Sequence, residues 1–228
     1  MLSKTFISVD IEVVDKGITA IGVVRASVYK NGSFVIANRR SFYGKVDYDK
    51  SKLTDFWKEN INKLESFQEK AVSQEKMAQQ FENYISSEQN TNPNFILISD
   101  FSSFDIGLLN KLLESHGKKA LRFRRITLDF FQDLDTTSFV SGVLFALDPK
   151  SAFEKGWEWD QYDKIFKKLG IKPNKKVEHD HEPVNDALKN LIDFLTLIER
   201  GVSKGIVVGK KRKREEENNV PKKKAKLV

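Results

Sequence analysis

The stretch Phe6-Ile7-Ser8-Val9-Asp10-Ile11-Glu12 sets the frame for the whole chain. Its apolar residues suit a buried strand, and its two carboxylates follow at positions i and i+2. In a β-strand that spacing puts both acids on one side of the sheet. Adjacent carboxylates repel each other, and apolar surroundings raise the cost of charging them. A hard divalent cation held between them relieves both problems, because such ions take oxygen ligands. A strand with a wet face carries two acids just as naturally, so the remainder of the chain has to decide between the two readings.

Outward from that strand, the spacing predicts strands over Phe6–Val9, Ile18–Tyr29 and Ser33–Ala37, the last two joined at Asn31-Gly32, a strong hairpin signal. An antiparallel three-stranded start follows. From Ser51 to Glu88 the apolar period becomes helical: Leu53, Phe56, Trp57, Ile61 and Leu64 form one stripe, and Met77, Phe81, Tyr84 and Ile85 another, both read as core contacts. Phe95–Ile98 is a short strand ending at Ser99-Asp100. A helix through Ile106, Leu109, Leu112 and Leu113 stops near Gly117. A further strand is expected over Ile126–Phe131 and a short helix over Tyr162–Leu169. A final helix opens at Pro183, carries Ala187, Leu188, Leu191, Ile192 and Leu195 inward, and ends before Gly201. This order describes an α/β chain, a mixed sheet with its first three strands antiparallel and helices packed on it.

The bulk numbers narrow the function classes. The 228 residues contain 17 Phe and no Cys, so a sizeable core is available while disulfides and cysteine-ligated metal sites are excluded. The start of the chain does not read as a signal peptide. No apolar run approaches the ~20 residues that span a membrane. The formal charge of +7 is concentrated at the C-terminal end. Lys210, Lys211, Arg212, Lys213 and Arg214, with Lys222, Lys223, Lys224 and Lys226, outweigh Glu215, Glu216 and Glu217, leaving about +1 for the rest of the chain. Residues 1–204 are therefore read as one folded domain and 205–228 as a basic, disordered tail. Its two basic runs have the composition of nuclear localisation signals, which also bind nucleic acid non-specifically. A nuclear protein that meets an import receptor is the expectation.

Two later places supply further acids. Asp105 follows Phe104 at the start of a helix, and Asp186 lies in the first turn of the last helix, five residues after His181. Acids favour helix N-termini for electrostatic reasons alone. Together, however, Asp10-Ile11-Glu12, Phe104-Asp105, and His181 with Asp186-Ala187 resemble the three motifs of the DEDDh family of 3′–5′ exonucleases, which have a ribonuclease H-like fold. Ile21-Gly22-Val23-Val24 is similar to the family's second strand, and the resemblance spans roughly residues 5–200. It implies that Asp10, Glu12, Asp105 and Asp186 bind two Mg²⁺ or Mn²⁺ ions and that His181 is the general base. It also implies a nucleic acid with a free 3′ end as substrate and 5′-mononucleotides as product. Val13, Phe101 and Pro183 stand where many members have Thr, Asn and Ala; none of these differences removes a ligand or the base.

The chemistry is coherent in its own right. Phosphodiester hydrolysis needs an activated water and a stabilised leaving oxygen, which two metal ions supply, and histidine takes a proton near neutral pH. The loop from His179 to Glu182 is expected to be tethered only at its helical end; His179 is a rival for the role of base, with a surface position the favoured reading. Asp100 is read as a supporting residue. Phe101 and Phe104 are candidate stacking surfaces for a base. Trp157 and Trp159 are further candidate contacts, for which core packing is the favoured reading, and Arg122, Arg124 and Arg125 are a basic cluster that either meets phosphates or is a solvated edge. Two rival functions remain: a catalytically weak nuclease-like binding protein, which has little use for four costly acids, and a ribonuclease H-type endonuclease, which the His181–Asp186 spacing disfavours.

Overall fold

The computed structural model describes residues 2–29, 33–93, 95–100, 102–121, 133–135, 139–141, 143, 161–172, 177 and 180–203. The Asn31-Gly32 turn, the Ile126–Phe131 strand, Phe101, the Arg122, Arg124 and Arg125 cluster, Trp157, Trp159, His179 and the basic tail lie outside the described residues.

Among the described residues, five strands, β1 (Leu2–Val14), β2 (Gly17–Tyr29), β3 (Phe34–Tyr43), β4 (Ile96–Ser99) and β5 (Asp133–Asp135), form one mixed sheet in the order β3-β2-β1-β4-β5. The first three are antiparallel, as expected, while β4 runs parallel to β1 and β5 parallel to β4. β1 and β3 both extend beyond their apolar stretches. β1 is held along nearly its whole length by β2 and takes β4 only opposite Phe6–Ser8, so backbone pairing carries the polar residues into the strand. β3 is the sheet edge, and its polar run Asn38–Ser41 half faces water, which hides it from an apolar count.

The described residues also include the helices α1 (Asp55–Glu59), α2 (Ile61–Lys70), α3 (Gln74–Thr91), α4 (Ser102–Ser115), α5 (Gln161–Leu169) and α6 (Pro183–Ser203); α5 packs on α6 and the others lie along the sheet. Thr54 and Ser73 accept the backbone N–H groups of Trp57 and Lys76, capping α1 and α3. α6 runs through Gly201 to Ser203 rather than ending before it.

Strand alternation divides the core in two. Ile7, Val9 and Ile11 pack with Met77, Phe81 and Ile85 of α3 and Leu109 and Leu113 of α4. On the opposite face, Phe6 packs with Leu188, Leu191 and Leu195 of α6. Farther along that second face, Val14 and Ala20 pack under Trp57, Leu64 and Phe67 of α1 and α2. Asp10 and Glu12 share the parity of Phe6 and Val14, so they occupy a polar seam between two apolar clusters on one face of the sheet.

Candidate active site

Gly22 explains how α6 reaches this seam. It pairs directly with Asp10 across the antiparallel ladder. A Cβ built at Gly22 would lie 2.0 Å from the carbonyl carbon of Pro183, so only glycine lets the first turn of α6 press onto β2. That contact brings Asp186, 1% exposed, over the two acids of β1. From the other side, β4 leads through Asp100 into α4, whose first turn carries the buried Asp105. Because β1 and β4 are parallel, their C-terminal ends open on the same edge, the usual place for a site in such sheets.

The electrostatics record how closely these acids gather. Burial, then the charges of Glu12, Asp186, Asp105 and Asp100, raise the Asp10 carboxyl well above the usual carboxylate range. Burial pushes Glu12 up to about 8; Asp186, Asp105 and Glu182 add to the effect and Lys63 opposes it. Asp186 is pushed up to about 6, again first by burial, with the Asp180 N–H and His181 opposing. His181 Nδ1 is 3.9 Å from Asp186 Oδ2. Glu12, His181 and Asp186 each offer a ligand atom within 4.8 Å of the others. Clustered carboxylates that resist ionisation, joined by an imidazole, are a donor set suited to a divalent cation.

The loop before α6 is strapped rather than tethered at one end. The Lys63 ammonium donates to the Asp180 carbonyl. The Tyr43 hydroxyl donates to Glu182 Oε1 at 2.7 Å, and the Asp180 N–H donates to Asp186 Oδ1 at 3.1 Å. Between these anchors His181 takes a left-handed backbone with φ of 59°, a conformation non-glycine residues seldom hold without support. Its ring meets that of Phe56 edge-on, with centroids 4.7 Å apart.

A cleft of about 520 Å³ adjoins Glu12, walled by Val13, Leu53, Phe56, Trp57 and Phe104. Trp57 is core, with its indole N–H donating to the Val13 carbonyl at 2.7 Å. Phe56 is not only a core contact, since it is half-buried between His181 and the cleft. Phe104 is 54% exposed, far more than packing alone would leave an aromatic ring.

The structure therefore brings together Asp10, Glu12, His181 and Asp186, places buried Asp105 where its charge is felt by Asp10 and Glu12, and puts Phe104 at the rim of the cleft. Sequence reasoning missed Tyr43, Phe56, Lys63, Asp180 and Glu182 as parts of the site. Only the Gly22 position, within a strand of large apolar residues, carried a local signal of close backbone approach.

This α/β fold, with its mixed sheet and flanking helices, is that of the DEDDh 3′-exonuclease domains, a ribonuclease H-like fold. The nuclease domain of 3′hExo, a DEDDh family member solved bound to rAMP, superposes with a TM-score of 0.58 at 13% identity, over 87% of this chain and 93% of that one. Cell-death related nuclease 4 gives a TM-score of 0.57 at 13% identity, covering 89% of this chain and 64% of that one. E. coli exonuclease I in complex with a dT13 oligonucleotide gives 0.54 at 12% identity, covering 89% of this chain; the chain spans 43% of that enzyme. No family model matches the sequence and no curated protein matches it.

Proposed function

We propose that this chain is a metal-dependent 3′–5′ exonuclease that hydrolyses the terminal phosphodiester bond of nucleic acid and releases 5′-mononucleotides. The observation that carries this reading is the meeting of Glu12, His181 and Asp186, with Asp10 close enough to feel the charges of Glu12 and Asp186, from two separate segments beside an open cleft with an exposed aromatic rim. Asp10, Glu12, Asp105 and Asp186 would hold two Mg²⁺ or Mn²⁺ ions. When bound, such ions supply Lewis-acid activation of water and charge stabilisation at phosphorus and the leaving oxygen. The residues do the rest. The cleft between Phe56 and Phe104 receives the 3′-terminal nucleotide, with Phe104 stacking on its base. His181 accepts a proton from the attacking water. The new P–O bond forms as the bond to the 3′ oxygen of the neighbouring nucleotide breaks. That oxygen takes up a proton from solvent to become the new 3′ hydroxyl, and the phosphate stays on the 5′ oxygen of the released nucleotide. Similar folds solved with rAMP, in the nuclease domain of 3′hExo, and with a dT13 oligonucleotide, in E. coli exonuclease I, support the same substrate class.

Digestion of 5′- and 3′-labelled single- and double-stranded RNA and DNA, with Mg²⁺, with Mn²⁺ and in EDTA, tests the proposal. A ladder shortening from the 3′ end, absent in EDTA and in Asp105→Ala, is expected. Cutting of closed circles would instead mark an endonuclease. The tail carries a separate proposal: Lys210–Arg214 and Lys222–Lys226 bind an import receptor and place the protein in the nucleus. A chain ending at residue 204 should keep the chemistry and lose nuclear accumulation; unchanged import would refute the targeting role.

A further inference from the structure

At the β1–β2 turn lies a second hollow, of about 440 Å³, lined by Lys16, Lys45 and Lys111 and by His116, together with buried Ile18 and half-buried Leu108. The three lysines are exposed, and none forms a salt bridge with a described residue. Asp47 is the acid that lines the hollow. Chain neighbours link this basic groove to the proposed cleft. Asp15 lines the cleft and the next residue, Lys16, lines the groove. On α4, Phe104 borders the cleft, while Leu108, Lys111 and Ser115 border the groove. Their spacing of 4, 3 and 4 residues places all four on one side of the helix, a track of about 16 Å at 1.5 Å per residue.

Apolar lining residues beside exposed ammonium groups suit sugars and bases as well as phosphates. Lysine pairs with phosphate as a mobile point charge, which fits contact without sequence preference. The acidic site itself repels a polyanion, so cations beside it offset the approach of the substrate. We propose that Lys16, Lys45 and Lys111 bind the phosphodiester backbone of a single nucleic-acid strand where it extends past the cleft. The inference rests on the cleft being the nuclease site, and it names how that site holds a polymer rather than a lone nucleotide.

The test uses the full chain, so that the basic tail is common to every variant. Lys16→Gln, Lys45→Gln and Lys111→Gln are combined. A control removes three exposed lysines elsewhere, Lys4→Gln, Lys76→Gln and Lys167→Gln. Binding of fluorescent dT12 and of rU12 is followed by anisotropy in Ca²⁺ across a salt series. Loss of three phosphate contacts lowers the slope of log K against log salt by about 2, at ~0.7 per contact on a single strand. The KM for either oligonucleotide rises on the order of tenfold with kcat unchanged, while turnover of the p-nitrophenyl ester of thymidine 5′-monophosphate, too short to reach the groove, follows wild type. A change for one polymer only assigns the groove to DNA or to RNA. Equal slopes in wild type and the groove variant, or an equal loss in the control, overturn the proposal. If wild type hydrolyses neither ester nor oligonucleotide yet the slope still falls by about 2 in the groove variant alone, the nuclease reading fails and the groove stands as a nucleic-acid site.

Discussion

The two faces of β1 are built from alternate residues of one strand and obey opposite rules. On one face Ile7, Val9 and Ile11 are buried in an apolar cluster with α3 and α4. On the other, Phe6 and Val14 are equally well packed, but between them Asp10 and Glu12 sit where charge is costly. The first face stabilises the fold and has no chemistry. The second gives up stability to hold carboxylates that ionise reluctantly, the cost that the proposed cation would offset. The shared backbone makes this a controlled comparison, because a substitution one residue away changes the face and leaves the strand in place.

The largest expected effect breaks the comparison most directly. Asp10→Asn should remove more activity than the ~10²–10⁴ typical of losing a general base, because in the proposed site it takes away a metal ligand. It should also raise the melting temperature in EDTA, since a neutral amide replaces a group that burial and four neighbouring acids disfavour as an anion. Ile7→Ala should do the reverse: a loss of ~2–5 kcal/mol in stability with unchanged turnover per folded molecule. Melting in EDTA and in Mg²⁺, with active-site-normalised rates, checks both. A destabilised Asp10→Asn protein in EDTA would show that the acids support the fold.

Next in size is His181. His181→Ala should lower kcat by ~10²–10⁴ while leaving the stabilisation by Mg²⁺ near wild type, because a native-state ligand stabilises in proportion to its binding. Single-turnover rates and thermal shifts at graded Mg²⁺ separate the two. A lost Mg²⁺ response would make His181 a ligand. His179→Ala should be nearly silent.

A smaller effect follows from proton linkage. Glu12 rises from the ordinary 4.5 to about 8, and Asp186 from 3.8 to about 6. A carboxyl raised in the folded state binds its proton more tightly there than when unfolded. Its contribution is therefore present below the unfolded value and is lost as pH climbs through the folded one. In EDTA the melting temperature should fall between about pH 4.5 and 8. Mg²⁺ should shrink the fall by replacing protons with a cation, and Glu12→Gln should flatten it. A melting temperature that rises over this window, equally in wild type and Glu12→Gln, would contradict the linkage.

How legible all this was depended on range along the chain. The first three strands, the α4 and α6 helices and the acids of the site were readable because each leaves a local mark: alternation, helical period, or an acid at a helix start. The β1–β2 turn at Asp15, with φ of 53°, and the polar half of β3 left weaker marks and were missed or cut short. The strap on His181 left none. Lys63 sits on the wet side of an amphipathic helix, 117 residues from the carbonyl it binds, and Tyr43 ends an edge strand 139 residues from Glu182. Phe56 belongs to an apolar stripe that pattern alone assigns to the core. Contacts of that range are set by the fold, and no window of sequence contains them.

Tyr43 gives the finest test, because it touches neither the acids of β1 nor the cleft, yet holds Glu182 next to His181. Burial, and then the bond to Glu182, push its phenol up to about 12, so it stays a donor throughout the working range. Tyr43→Phe keeps the ring against Phe67 and removes only the hydroxyl. A hydrogen bond of this kind contributes ~0.5–1.5 kcal/mol net. If that amount is expressed in the position of His181, kcat should fall by roughly 2- to 10-fold, with KM and the Mg²⁺ response unchanged. A loss of that size also follows from slight general loosening, so the decisive measurement is the double variant. Groups that act through one another are non-additive. In a His181→Ala background there is no imidazole left to position, and Tyr43→Phe should cost nothing more. An undiminished loss in that background would mean that Tyr43 serves the sheet rather than the histidine, and the strap would then be packing that happens to lie beside a site.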